Sequence, residues 1–182
     1  MKHVRSFGLV VVAFAVLVGC GGPATTGQQA NGVTKSEQNI SAQNRGAVAE
    51  QLRFTTKTID GHDFSGQSLA GKPTVLWFWS PWCPVCQREA PAVAKAAQAN
   101  TRVTFVGVAA QDTVPAMKDF VSKYKMGSFT HLADVDASVW QRFDVTSQPA
   151  FAFIATDGSV QVVKGTLSEQ DLAQRVATLA AA

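Results

Sequence analysis

Six consecutive residues, Thr74-Val75-Leu76-Trp77-Phe78-Trp79, are all β-branched or large and apolar. A strand of this kind has no face to offer water, so it sits inside a sheet covered on both sides. That requirement commits the chain to a layered α/β architecture. The composition can supply it: 182 residues, 46% of them apolar, allow one well-buried core and no second large domain. Only 16% of residues are charged and the net charge is +3, which excludes a phosphate-tracking nucleic-acid binder and whole-chain disorder alike.

The first twenty residues read as an address. Lys2, His3 and Arg5 precede an apolar run from Phe7 to Val18. Twelve residues span about 18 Å as a helix, well short of the roughly 30 Å of a bilayer core, so a signal peptide fits better than a permanent span. The run ends in Leu17-Val18-Gly19-Cys20, which resembles the lipobox of bacterial lipoproteins and implies cleavage before a lipidated Cys20. An ordinary signal peptide with an incidental Cys20 is the alternative. Loss of residues 1–19 leaves 14 basic and 13 acidic side chains, so the apparent basicity belonged to the signal. Residues 20–48 are then a lipidated N-terminus and a polar tether, and 49–182 the folded domain. Export also sets the redox compartment, because disulfides persist outside the cytoplasm.

Within the domain, Leu52 to Thr58 alternates and is followed by Asp60-Gly61, which predicts an N-terminal hairpin with His62-Asp63-Phe64. Helices are expected from Val85 to Ala99, with Pro91 inside, from Thr113 to Tyr124, over Val135 to Phe143, and from Ser168 onward. Val103 to Ala109 is a second buried strand, Phe129 to Ala133 a weak strand or loop, and Ala150 to Ala155 with Val160 to Lys164 a hairpin about Asp157-Gly158. The order implies a central mixed sheet with helices on both faces.

The chemistry lies in Trp82-Cys83-Pro84-Val85-Cys86, at the junction of the buried strand and the first helix. A cysteine at a helix N-terminus faces unpaired N–H groups and the positive end of the macrodipole, so Cys83 is the expected attacking sulfur. Cys86, within the first turn and buried, is the expected resolving partner. A zinc half-site is a competing reading, but no second pair of ligands exists and His62 and His131 stand alone. A structural disulfide would close a very short loop and add little stability. A lone peroxidatic Cys83 would leave Cys86 without a role.

The stretch from Gly71 to Pro91 resembles the active-site segment of secreted thioredoxin-fold proteins of the TlpA, ResA and DsbE group, with Pro91 matching their helix-kinking proline. Phe143 to Phe151 is similar to the loop that carries the group's cis-proline, which would be Pro149. The resemblance implies a thioredoxin-like fold with an extra N-terminal β-hairpin, no cofactor, and a thiol-disulfide exchange site supported by Trp82, Pro84, Val85, Glu89, Gln148 and Pro149. Trp82 and Pro149 would border Cys83 with apolar surface, and Gln148 would offer its main chain to a client.

Departures from the pattern bear on the direction of electron flow. Cytoplasmic thioredoxins carry a buried acid where this chain has Trp77, which should weaken reduction. Pro84 directly after Cys83 is as in oxidising Dsb proteins, whereas Val85 replaces the His of strong oxidants. Glu89 matches the glutamate of ResA-like proteins and would shuttle a proton; alternatively it is a solvated first-turn carboxylate favoured by the helix dipole. Trp79 and Trp140 are expected in the core, and Lys118, Lys123, Lys125 and Arg88 at the surface.

Together these readings predict an enzyme on the outer face of the cell membrane, lipid-anchored through Cys20. It would donate the Cys83–Cys86 disulfide to reduced exported proteins and be reoxidised, by family analogy, by a vitamin K epoxide reductase-type membrane enzyme. A reductase of the cytochrome c maturation type and a non-catalytic, chaperone-like binding lipoprotein are the alternatives.

Overall fold

The computed structural model describes residues 50–181. The signal segment, Cys20 and the tether lie outside the described residues, as does most of the domain boundary expected near 49. Seven strands form one mixed sheet in the order β2-β1-β5-β4-β3-β6-β7. In chain order they are β1 (Thr55–Thr58), β2 (Asp63–Ser65), β3 (Thr74–Trp79), β4 (Thr104–Ala109), β5 (Thr130–Ala133), β6 (Ala150–Ile154) and β7 (Val160–Lys164). The helices are α1 (Pro84–Ala99), α2 (Val114–Lys123), α3 (Ser138–Arg142) and α4 (Glu169–Ala181). The thioredoxin-like architecture expected from the sequence is present, and the N-terminal hairpin extends the sheet through antiparallel pairing of β1 with β5.

Every residue of β3 is buried, and its side chains alternate between two cores. Val75, Trp77 and Trp79 face α1, α2 and α4, while Leu76 and Phe78 face α3 and the segment carrying Leu52 and Phe54. This two-sided burial is what the unbroken apolar run demanded. β3, β4 and β5 run parallel and β6 antiparallel to β3, so the C-terminal ends of three strands and the start of β6 share one edge. Gly107 sits where that packing is tightest: a Cβ there would come within 2.2 Å of the His131 ring and 2.8 Å of the Trp79 indole.

Several boundaries differ from the sequence expectation. β1 begins at Thr55 because Arg53 N–H bonds to the Glu50 carbonyl and Phe54 N–H to the Leu52 carbonyl, turning residues 50–54 inward. The helix expected over 135–143 shortens to α3, since Ala137 is left-handed at φ 56° and Asp134 caps the following turn. Asp134 is buried and its carboxylate accepts bonds from Val139 N (3.0 Å), Trp140 N (2.9 Å) and Ser138 Oγ (3.3 Å). Of the stretch from Phe129 to Ala133, Thr130–Ala133 is a true strand, β5, held between β4 and β1. α4 is capped as expected, with Asp171 N–H bonding to Ser168 Oγ.

Candidate active site

The apolar run of β3 ends at Trp79 and the chain turns through Ser80 and Pro81 into α1. The turn closes where Cys83 N–H bonds to the Ser80 carbonyl at 3.2 Å. Cys83 is the N-cap of α1 and Pro84 its first helical residue, a place where a proline costs no hydrogen bond. The helix thus starts one residue earlier than the sequence indicated. Cys83 Sγ accepts the Cys86 N–H at 3.2 Å, satisfying one of the donors that a helix start leaves open. Cys83 and Cys86 are both free thiols and both buried, with their sulfurs 2.6 Å apart.

Burial is the main cause that pushes the Cys86 thiol well above the ordinary range, followed by its hydrogen bond to Cys83 and, more weakly, by the charges of Cys83 and then Glu89; the Ser80 backbone opposes them. Cys86 therefore stays protonated at neutral pH. One face of the pair remains open through Cys83, which is 4% exposed against 0% for Cys86.

Glu89 corrects one of the two readings of the sequence. It is 6% exposed, so it is not a solvated first-turn carboxylate. The Trp77 indole N–H donates to Oε2 at 2.9 Å, and Thr166 Oγ1 (2.8 Å) and Leu167 N–H (2.9 Å) donate to Oε1. Burial holds its carboxyl above the usual range even against these three donors. Trp77 occupies the position of the thioredoxin acid, and its indole binds a carboxylate that approaches from α1. What differs from the thioredoxin pattern is which element carries the acid. Thr166 and Leu167 could not have been found in the sequence: they lie 77 and 78 residues from Glu89 and carry no motif of their own.

The remaining expected residues are distributed around this edge. The Gln148–Pro149 bond is cis. Ala150 pairs with Phe78, which sets Pro149 level with the end of β3 and hence beside the turn to Cys83; the Pro149 carbonyl accepts Gly165 N–H at 2.9 Å. Pro149 is buried, Gln148 and Val85 half-buried, and Pro84 and Arg88 exposed. Trp82 is 52% exposed, with its indole N–H fixed on the Gln111 carbonyl at 3.0 Å, a contact no sequence signal announced. Trp79 and Trp140 are core residues, as expected.

A mixed sheet that delivers two cysteines to a helix start beside a cis-proline defines a thioredoxin-like thiol-disulfide oxidoreductase. Residues 48–163 match the model of the AhpC/TSA family. The soluble secreted antigen MPT53 of Mycobacterium tuberculosis is 48% identical over 136 residues, covering 73% of this chain and 78% of that protein. A structure of MTB dsbF in mixed oxidized and reduced forms superimposes with a TM-score of 0.70 at 58% identity, covering 71% of this chain and 97% of that one. A secreted M. tuberculosis disulfide oxidoreductase described as homologous to E. coli DsbE gives 0.69 at 49% identity, covering 71% and 98%. The chain belongs to the AhpC/TSA family and, within the thioredoxin-like proteins, to the secreted disulfide oxidoreductases of the MPT53 and DsbF type.

Proposed function

We propose that the protein is an extracytoplasmic oxidase that donates the Cys83–Cys86 disulfide to reduced exported proteins. A client thiolate attacks Cys83 Sγ, the Cys83–Cys86 bond breaks, and Cys86 leaves with the electron pair and takes up a proton. A second client thiolate then attacks the client sulfur of the mixed disulfide. Cys83 leaves as a thiolate, the client keeps a new disulfide, and the protein holds two thiols and two electrons more.

The observation that carries this reading is the placement of Cys83 as the N-cap of α1, its sulfur receiving the Cys86 N–H, with Cys86 buried behind it. This placement makes Cys83 the sulfur that a client thiolate reaches, and Pro84 directly after it, as in oxidising Dsb proteins, favours the donor direction. Glu89, whose carboxyl is raised by burial and interacts electrostatically with Cys86, is suited to give and take the proton that Cys86 exchanges. Trp82 and Pro149 frame the opening, Pro84 and Val85 set the helix start, and Gln148 faces the client from the β6 side. Reoxidation falls to a membrane enzyme of the vitamin K epoxide reductase type, and lipidation of Cys20 would hold the domain at the membrane; among the described residues no helix is long and apolar enough to cross it.

A redox titration against glutathione tests the direction: a potential well above that of thioredoxin, about −270 mV, is expected, and a value near or below it contradicts the oxidase reading. The presence of a buried acid after all, Glu89 on Trp77, is the observation that favours a reductase. A reductase of the cytochrome c maturation type predicts that deletion impairs haem attachment and leaves disulfides of secreted proteins intact.

A further inference from the structure

Among the described residues, two large hydrophobic side chains stand exposed, Trp82 at 52% and Val135 at 62%. They are 53 positions apart in sequence, yet the topology brings both to the edge that carries Cys83. β3, β4 and β5 run parallel, and each releases its loop there: Ser80 to Cys83, Ala110 to Thr113, and Asp134 to Ala137. The Trp82 indole bonds to the Gln111 carbonyl of the second loop, and Asp134 N–H of the third loop bonds to the Ala109 carbonyl at 2.8 Å. The first loop is therefore tied to the second, and the third to the end of β4.

The Trp82 indole N–H is held at the surface by the Gln111 carbonyl. Its ring is an aromatic anchor held in solvent at no further ordering cost. Three residues past Gln111, Val114 joins Val135, Ala133 and Ile59 as the apolar part of a groove of about 790 Å³, whose remaining lining is Asp136 and the β1–β2 hairpin with its Lys57–Asp63 ion pair at 2.7 Å. Gln111, which holds the Trp82 indole, is thus joined to the groove by the short run of chain to Val114. Strands lie about 4.8 Å apart, so the step from β3 to β5 is about 10 Å, the reach of about three extended residues.

We propose that this groove is a client subsite. It takes a bulky apolar side chain of an extended, cysteine-bearing segment of a reduced exported protein, about three residues from the cysteine held at Cys83. The assignment rests on the reading that Cys83 is the sulfur that forms the mixed disulfide. Continuity with Cys83 through Trp82 and Gln111 is what selects a client segment over a second copy of the chain as the occupant.

The test uses the mature chain carrying Cys86→Ser, with Cys83 reduced. Ten-residue peptides present one cysteine as its mixed disulfide with thionitrobenzoate and carry Phe or Ala three positions before or after it. The Cys83 thiolate attacks the peptide sulfur, a Cys83–peptide disulfide forms, and thionitrobenzoate leaves with the electron pair and is read by its absorbance. In one of the two orientations the Phe peptide should react about tenfold faster than its Ala counterpart, the gain expected from burying about 55 Å² of ring. Val135→Asp should bring that ratio close to one, and Val135→Leu should preserve it.

Equal rates for Phe and Ala peptides in both orientations overturn the groove while leaving Cys83 chemistry intact. A preference that survives Val135→Asp overturns its location. Self-association that Val135→Asp abolishes, without any peptide preference, assigns the face to a second copy and overturns the client subsite. Failure of every peptide to release thionitrobenzoate overturns the reading of Cys83 itself.

Discussion

Glu89→Gln separates the two things the buried carboxyl does. The carboxylate offers two oxygens to three donors: Oε2 to the Trp77 indole, Oε1 to Thr166 Oγ1 and Leu167 N–H. An amide offers one. With its oxygen on the Thr166 side, the NH₂ group faces the Trp77 N–H; flipped, it faces the Leu167 N–H. Either way one N–H loses its acceptor, at a cost of about 1–3 kcal/mol if it is the buried Trp77 indole and less if it is the half-buried Leu167 N–H. Relief of the desolvation that raises the Glu89 carboxyl offsets part of this, so the variant should fold. A carboxyl raised in the folded state contributes stability that is full below the unfolded value and is lost as pH rises through the folded one. The deficit of Glu89→Gln should therefore be largest in acid and shrink toward neutral pH.

The same substitution should act on Cys86 in two opposed ways. Removing a negative neighbour lowers the Cys86 thiol from its raised position, so the pH midpoint of its reaction moves down. Removing the proton acceptor lowers the plateau rate, by about 100-fold if Glu89 acts as a general base. The assay is single-turnover release of glutathione from a Cys83–glutathione mixed disulfide across pH, followed by tryptophan fluorescence. A midpoint and plateau both unchanged would refute the argument and leave Glu89 as a fastening between α1 and the segment before α4.

Two further outcomes are expected. His131 is 3% exposed and burial pushes its imidazole down to about 4, against the opposing bond from its ring to the Met126 carbonyl. Its stabilising contribution is full above about pH 6.5 and is lost as pH falls toward 4, amounting to about 2 kcal/mol between pH 7 and pH 4.5. His131→Gln keeps a donor for Met126 and should be spared that loss in urea unfolding; an equal acid loss in both proteins contradicts it. If Cys20 is lipidated, the mature reduced protein titrates with two thiols, and a count of three removes the anchor.

Legibility in the sequence followed the range of the interactions. The β3–α1 junction was readable because its signals are contiguous: an unbroken apolar run, then cysteine and proline at a helix start. The cis-proline loop was readable only through resemblance, since nothing local to Gln148 sets its neighbour opposite Cys83. β5 was weak because Thr-His-Leu-Ala is short and its burial comes from β4 and β1. Glu89 is ambiguous in sequence because a glutamate in the second turn of a helix is equally at home in water, and the donors that bury it come from β3 and from beyond β7. Asp134 gave no signal of its own, since its partners are backbone groups of the turn it creates.

The most direct test of the exchange mechanism is trapping in the native envelope. Cys86→Ser should accumulate mixed disulfides between Cys83 and exported proteins, dissolved by reductant and absent from Cys83→Ser. Adducts that persist in Cys83→Ser, or none in Cys86→Ser, would contradict the assignment of Cys83 as the attacked sulfur and Cys86 as its resolving partner.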